Sequence, residues 1–404
     1  MKWSLFKRLK AAPLSEKVKS IDACVYFYRS MTIIGWLPPE KGPHRWLYLL
    51  WTANTILWGI LYLPCGLFAT YFVHFDKFTP NEFLTSLQVD LNAFGNTVKA
   101  CVTFSQIWRL KKMNELIAQL DEHCVTPTQR EKLHNTVAWG NRTVLFYATM
   151  YIAFTTSTLL SSVFAGSPPW QLFNPLVDWR QGVGNLWLAS LMEYFFMCIV
   201  VIQEQQSDTF PIVFSFLFRG HLAILKDRIE NLRADPQTTN EQNYEQLVTC
   251  IKDHKIILEC CDIMRPMISA TIFTQFMLIG MVLGLAIINI FFFSSSVWTA
   301  VANISFVFAL LLETFPFCMN CELLIDDCQA LTDAIFHSNW MDADRRYKSA
   351  LVYFLHRVQQ PIQFMAGAIF PISMQSNIAV AKFAFSIITI VNQMNLGEKF
   401  REQH

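Results

Sequence analysis

Cys318, Cys321 and Cys328 are the nearest this chain comes to a metal-binding set, because a Cys-x2-Cys pair holds two thiolates at a spacing zinc accepts. The run starts inside an apolar segment and lacks a matching fourth ligand, so the three read as free thiols; no metal or other cofactor is expected. Asp326-Asp327 offers paired carboxylates, but on a charged helical stretch where a solvated face is the ordinary role. No Gly-rich phosphate loop, HExxH or GxSxG occurs. The chain is not expected to be an enzyme, and its chemistry is to be sought in binding or conduction.

Ionisable residues inside apolar segments are more informative, since each costs several kcal/mol unless it is paired or faces water. Among them are Asp90, Lys99, Arg142, Glu193, Glu204, Glu313 and Lys382. Arg142 and Glu204 fall near a segment end, where snorkelling or a mutual pair accounts for them. Asp90, Glu193 and Lys382 lie deeper. Near the C-terminus, Gln375, Ala379, Lys382, Ser386, Thr389 and Gln393 recur at spacings of three and four, which puts them on one face of a helix. Phe383, Phe385, Ile387, Ile388 and Val391 hold the opposite faces. Such a stripe either packs on polar neighbours or lines a water-filled path. One helix cannot enclose a pore, so the second option requires several chains around a shared axis.

The elements that position these residues are seven apolar segments, at about 46–73, 83–107, 137–162, 183–218, 267–293, 297–319 and 365–394. Each can cross the roughly 30 Å hydrocarbon core as a helix, and the fourth projects beyond it. Of the 32 Lys and Arg, 25 lie on the N-terminal side of this weave and 4 on the other, with Lys99, Arg142 and Lys382 inside spans. By the positive-inside rule the N-terminus is cytoplasmic and the C-terminus extracellular, the reverse of a G-protein-coupled receptor. The expected fold is an all-α membrane protein of seven transmembrane helices with long cytoplasmic helical extensions. A composition 53% hydrophobic and 16% charged agrees, because one soluble core could not bury that much apolar surface.

Residues 1–45 contain no long apolar stretch, so no cleavable signal peptide is expected and the first span serves as the signal. None of the eleven cysteines falls in an outer loop, which argues against an extracellular disulfide framework. The sequons at Asn141 and Asn303 fall within spans. Gly280-x3-Gly284 in the fifth span suits close helix packing. Outside, only 163–182 is long enough to cover anything. Inside, 219–266 and 320–364 are long and helically periodic, as in Leu222, Leu225, Ile229 and Leu232, with a break at Asp235-Pro236. These segments are expected to pack together. There is no internal repeat of the kind many transporters carry.

Pro316-Phe317-Cys318, Ala334-Ile335-Phe336-His337-Ser338-Asn339-Trp340, Gln359-Gln360-Pro361 and Lys382-Phe383-Ala384-Phe385-Ser386 resemble the C-terminal third of insect odorant receptors. The resemblance runs over essentially the whole chain and is most specific from about 310 to 394. It is closer to the divergent odour-tuning subunits than to the shared co-receptor, whose second cytoplasmic loop is much longer than 219–266.

The resemblance implies an odorant receptor subunit that forms, with the co-receptor, a heterotetrameric, ligand-gated, non-selective cation channel opened by small volatile odorants. It would sit in the plasma membrane of olfactory sensory neuron dendrites, in contact with lipid and without nucleic acid. The alternative is a seven-helix receptor signalling through a G protein or other cytoplasmic partner. The implied organisation is a cytoplasmic segment 1–45, a ligand-binding bundle 46–319, a cytoplasmic anchor 320–364, a pore-lining helix 365–394 and an extracellular tail 395–404. In the family an aliphatic residue followed three positions later by glutamine forms the gate; Ile390 and Gln393 match, with Thr389 and Ser386 on or beside that face. Lys382 departs from the small residue of the co-receptor, and a positive charge near a cation pore opposes conduction unless it sits in a wide vestibule or pairs with an acid. The implied odorant pocket lies in the outer half of the bundle and takes in Val89, Asn92, Ala93, Tyr151, Thr155, Trp187, Tyr194 and Ser305. Its apolar walls would supply about 25 cal/mol per Å2 of burial, and its hydroxyls and amides would orient the ligand.

Overall fold

The computed structural model describes residues 8–39, 42, 44–74, 80–172, 174, 176–290 and 297–393. A short helix α1 (Val25–Ile33) precedes the first membrane helix, which is built from α2 (Arg45–Ile56), a π-helical turn Leu57–Tyr62 and α3 (Leu63–His74). The π turn falls immediately before Pro64, whose missing N–H and ring would break a regular α ladder there. Then come α4 (Pro80–Ser105), α5 (Ile107–Asp121), α6 (Pro127–Phe164), α7 (Val183–Glu230), α8 (Asn240–Ile288), α9 (Val297–His337), α10 (Arg345–Val358) and α11 (Met374–Gln393). Seven membrane helices result, from α2–α3, α4, α6, α7, α8, α9 and α11; α7, α8 and α9 run on well past the bilayer.

Helix starts are written in the sequence. Thr126 with Gln129, and Thr239 with Gln242, form capping boxes, and Pro127 takes the first helical position where its absent N–H costs nothing. Asp344 caps α10 through the Tyr347 N–H. The break between α7 and α8 falls around Asp235-Pro236, as the sequence indicates.

The cytoplasmic extensions do pack together. Leu110, Met113, Ile117 and Leu120 of α5, and Tyr347, Leu351, Phe354 and Val358 of α10, present buried stripes to α8. With Phe27, Phe210, Phe214, Phe218, Phe276, Phe317 and Phe364 they make one continuous apolar core. The N-terminal segment is tied into it: Ser20 Oγ donates to Asp121 Oδ1 (2.5 Å) and meets His221 Nε2 (2.8 Å). Burial pushes the His221 imidazole down to about 4 and, with help from Arg357, that of His254 to about 4 as well. The outer half is held differently, by small separate clusters such as Leu63, Leu67, Ala93, Leu172, Met197 and Val200, and Leu159, Val163 and Leu186.

One boundary expected from the sequence is corrected. The seventh helix begins at Met374 rather than at 365, because Met365–Ala366 and Phe370–Pro371 pair as a tight antiparallel hairpin. Gly367 and Ala368 both hold φ +57°, and the Gly367 N–H donates to the Ser269 carbonyl of α8. A Cβ at Gly367 would stand 2.7 Å from the Phe273 ring, and Pro371 removes a ladder donor, so apolarity alone does not make this stretch a helix.

Candidate functional site

The implied pocket residues divide among three neighbourhoods. Ala93 is buried against Leu63, Leu67, Leu172, Met197 and Val200, with Val89 and Trp170 packed beside it. Tyr194 lies next to Leu159, Val163 and Leu186, and its hydroxyl meets Thr156 Oγ1 at 2.9 Å. Between these, Asn92, Tyr151 and Thr155 point into polar surroundings: Asn92 Nδ2 donates to Glu204 Oε1 (3.2 Å), Tyr151 Oη to Asp208 Oδ2 (2.8 Å), and Thr155 Oγ1 to the Tyr151 carbonyl (2.8 Å). Trp187 is not drawn into this region and stays 38% exposed. The side chain of Ser305 lies outside the described residues.

Above the first cluster sits the outer loop. Glu193 accepts the backbone N–H of Trp170 (2.9 Å) and of Leu172 (3.0 Å), and Thr70 Oγ1 donates to the Gln171 carbonyl (3.3 Å). The deep carboxylate of the fourth span is thus a strap that pins loop 163–182 over the bundle.

Below lies a buried polar network. Lys99 is 1% exposed, and its Nζ donates to Asp208 Oδ1 (2.8 Å) and Gln275 Oε1 (2.5 Å). Gln275 Nε2 donates in turn to Glu313. Carboxylate oxygens of Glu204, Asp208 and Glu313 lie within 4.8 Å of one another, so the Lys99 ammonium supplies the cation such a cluster requires. One residue along, Thr314 Oγ1 donates to Asn377 Oδ1 of α11 (3.2 Å), which brings the network to the edge of the seventh helix. Cys318, Cys321 and Cys328 do not converge on a common point among the described residues.

Lys99, Glu204 and Glu313 stand out in the sequence as costly intramembrane charges, but nothing there joins them; Asp208 and Gln275, not singled out by the sequence, are the joints. The available signal is Glu204 and Asp208 four residues apart, hence on one face of α7. The alternative of an Arg142–Glu204 pair is corrected: Arg142 stays at the surface, donates from Nε to the Leu9 carbonyl (2.6 Å) and lies over the Trp139 ring, while Glu204 turns inward. Snorkelling accounts for Arg142 alone, because Glu204 joins the buried network.

On α11, Gln375, Ala379, Lys382, Ser386 and Thr389 are all exposed on the surface of the chain, whereas Asn377, on another face, is buried. Ile390 and Gln393 continue the same helix, with side chains outside the described residues; 395–404 are likewise outside them.

Comparison with known proteins agrees with this architecture. The 7tm Odorant receptor family model matches residues 79–385. Putative odorant receptor 59c of Drosophila melanogaster is 59% identical over 395 residues, spanning 98% of this chain and 96% of that protein. Odorant receptors 59b and 42b of the same organism are 52% and 51% identical, each over 98% of this chain and 100% and 99% of their own lengths. The structure of the insect olfactory receptor OR5 from Machilis hrabei superposes with a TM-score of 0.72 at 14% identity, over 92% of this chain and 99% of that one, a likeness of fold. Its complex with eugenol gives a TM-score of 0.64 over 93% and 99%. This multi-pass membrane chain belongs to the seven-transmembrane odorant receptor family, which is not a family of enzymes.

Proposed function

We propose that the chain is an odour-tuning subunit that assembles with a co-receptor into a tetrameric, ligand-gated, non-selective cation channel in the dendritic plasma membrane of olfactory sensory neurons. Small volatile odorants bind in the outer half, between the Ala93 cluster and the Tyr194 cluster, under the loop held by Glu193. The carrying observation is the polar stripe of α11: Gln375, Lys382 and Ser386 are exposed on the chain, so at membrane depth they require water or another subunit. Odour binding in the outer half is further supported by its packing in small clusters, where one side chain sets the shape of a cavity. The eugenol complex of the Machilis receptor shows that this fold accommodates a small aromatic volatile.

The test is permeability. Ile390→Lys or Gln393→Arg puts positive charge at the proposed constriction, costing a passing cation several kcal/mol at close range. Complexes with the co-receptor, counted at the surface, should show changed bi-ionic reversal potentials or smaller currents. Normal permeability ratios together with normal current per complex in both variants refute the pore assignment.

A further inference from the structure

α6 and α9 both pack on α7 but leave between them a groove of about 860 Å3, at the cytoplasmic end of the third, fourth and sixth spans. Its polarity changes along the membrane normal. Toward the bilayer it is lined by Phe146, Tyr147, Ile212, Phe216, Pro316 and Met319. Toward the cytoplasm the lining becomes Lys132, Arg142, Arg219, Asn320 and Asp327. It opens sideways: Trp139 and Phe146 on one wall are 57% and 58% exposed, and Met319 on the other is exposed too.

The charges at the rim do not cancel. Arg219 Nε donates to Asp327 (2.7 Å) and its Nη1 to Asn320 (3.2 Å), while Lys132 Nζ reaches Asp227 (2.5 Å). Arg142 lies over Trp139 and uses Nε on the Leu9 carbonyl; no carboxylate pairs with it among the described residues. Three cations against two carboxylates leave one positive charge, held at the depth where an aromatic belt and lipid phosphates lie.

We propose that this groove binds one anionic phospholipid of the cytoplasmic leaflet, with its singly charged headgroup on Arg142 and one acyl chain along Phe146, Phe216 and Met319. The order of polarity, apolar toward the hydrocarbon and basic toward the cytoplasm, is that of a phospholipid in place. Lateral openness at membrane depth admits a molecule already in the bilayer, and the uncompensated charge selects an acidic headgroup over a zwitterionic one. The inference needs only the membrane orientation and is independent of how the channel gates.

The full chain co-expressed with its co-receptor is reconstituted in phosphatidylcholine nanodiscs that carry a trace of either phosphatidylserine or phosphatidylcholine bearing a photoactivatable acyl chain. Labelled peptides are then identified by mass spectrometry. Phosphatidylserine should label 139–147, 212–220 and 316–323 roughly fivefold more than phosphatidylcholine, the ratio one basic group near the membrane surface confers. R142Q should bring the two lipids level, and M319W, which fills the groove, should reduce both. Equal labelling of the two lipids, or phosphatidylserine labelling unchanged in R142Q, overturns the proposal. If R142Q fails to assemble, the lipid comparison in the wild-type complex and the M319W variant still decide it.

Discussion

Replacing Lys99 by Met keeps the length of the side chain and removes the only ammonium hydrogen-bonded to Asp208 and Gln275 among the described residues. Glu204, Asp208 and Glu313 are then left with oxygens within 4.8 Å of one another. At an effective dielectric of about 20, two unit charges at that distance repel by roughly 3.5 kcal/mol. The expected loss is about 3–5 kcal/mol, the usual cost of removing one partner of a buried pair. K99M complexes should be depleted at the cell surface and should unfold at lower temperature in detergent. The companion variant is Asp208→Asn, whose amide oxygen still accepts from Tyr151 while the excess negative charge falls by one. K99M/D208N should therefore recover much of what K99M alone loses. Wild-type stability of K99M, or a double variant no better than the single one, would refute the view that this network is held by charge matching.

Ala93→Phe forces a ring into the cluster of Leu63, Met197 and Val200; overpacking of about 1–3 kcal/mol should shift the odorant panel toward smaller ligands without loss of maximal current, as read by dose–response curves. Glu193→Gln turns two charge-assisted hydrogen bonds into weaker ones, about 1–2 kcal/mol in total, and should loosen loop 163–182, raise half-maximal odorant concentrations roughly tenfold and expose the loop to protease; an unchanged cleavage pattern counts against the strap. Acid should weaken the cytoplasmic core. His221 and His254 are neutral in the fold down to about 4 but take up protons near 6.5 when unfolded, so between those values the unfolded state binds more protons and stability falls with pH. The loss from pH 7 to pH 5 is about 2 kcal/mol per histidine, and melting temperatures that do not change over that range would contradict it.

Much of the fold is legible because the bilayer imposes long apolar runs and the positive-inside rule orients them. The helix breaks at Asp235-Pro236 and the capped starts at Thr126 and Thr239 follow from local chemistry alone. The start of the seventh helix was not legible, since 365–373 is apolar enough for a membrane span; only its contact with Ser269 and Phe273 shows that Gly367 serves a turn. Site legibility followed the same division. Glu193, Lys99, Glu204 and Glu313 stand out by the cost of burying charge, whereas Gln275 carries no charge and is indistinguishable from any polar residue on a packed helix. Trp187 looks like a pocket wall by type, yet its rotational position on α7 turns it outward, and rotation is set by which neighbours a helix meets.

The contrast between one continuous core on the cytoplasmic side and scattered clusters outside has a consequence for how such a chain can diversify. Cooperative unfolding requires breaking a connected set of contacts, so amide exchange in the inner halves of α7, α8 and α9 should report the global stability, while the outer turns open locally at much lower cost. A substitution at Ala93 or Tyr194 therefore disturbs only its own neighbourhood and leaves the platform below intact. Substitutions in the outer clusters are in this way insulated from those that threaten folding, so the packing of the outer half can change on a fixed cytoplasmic base.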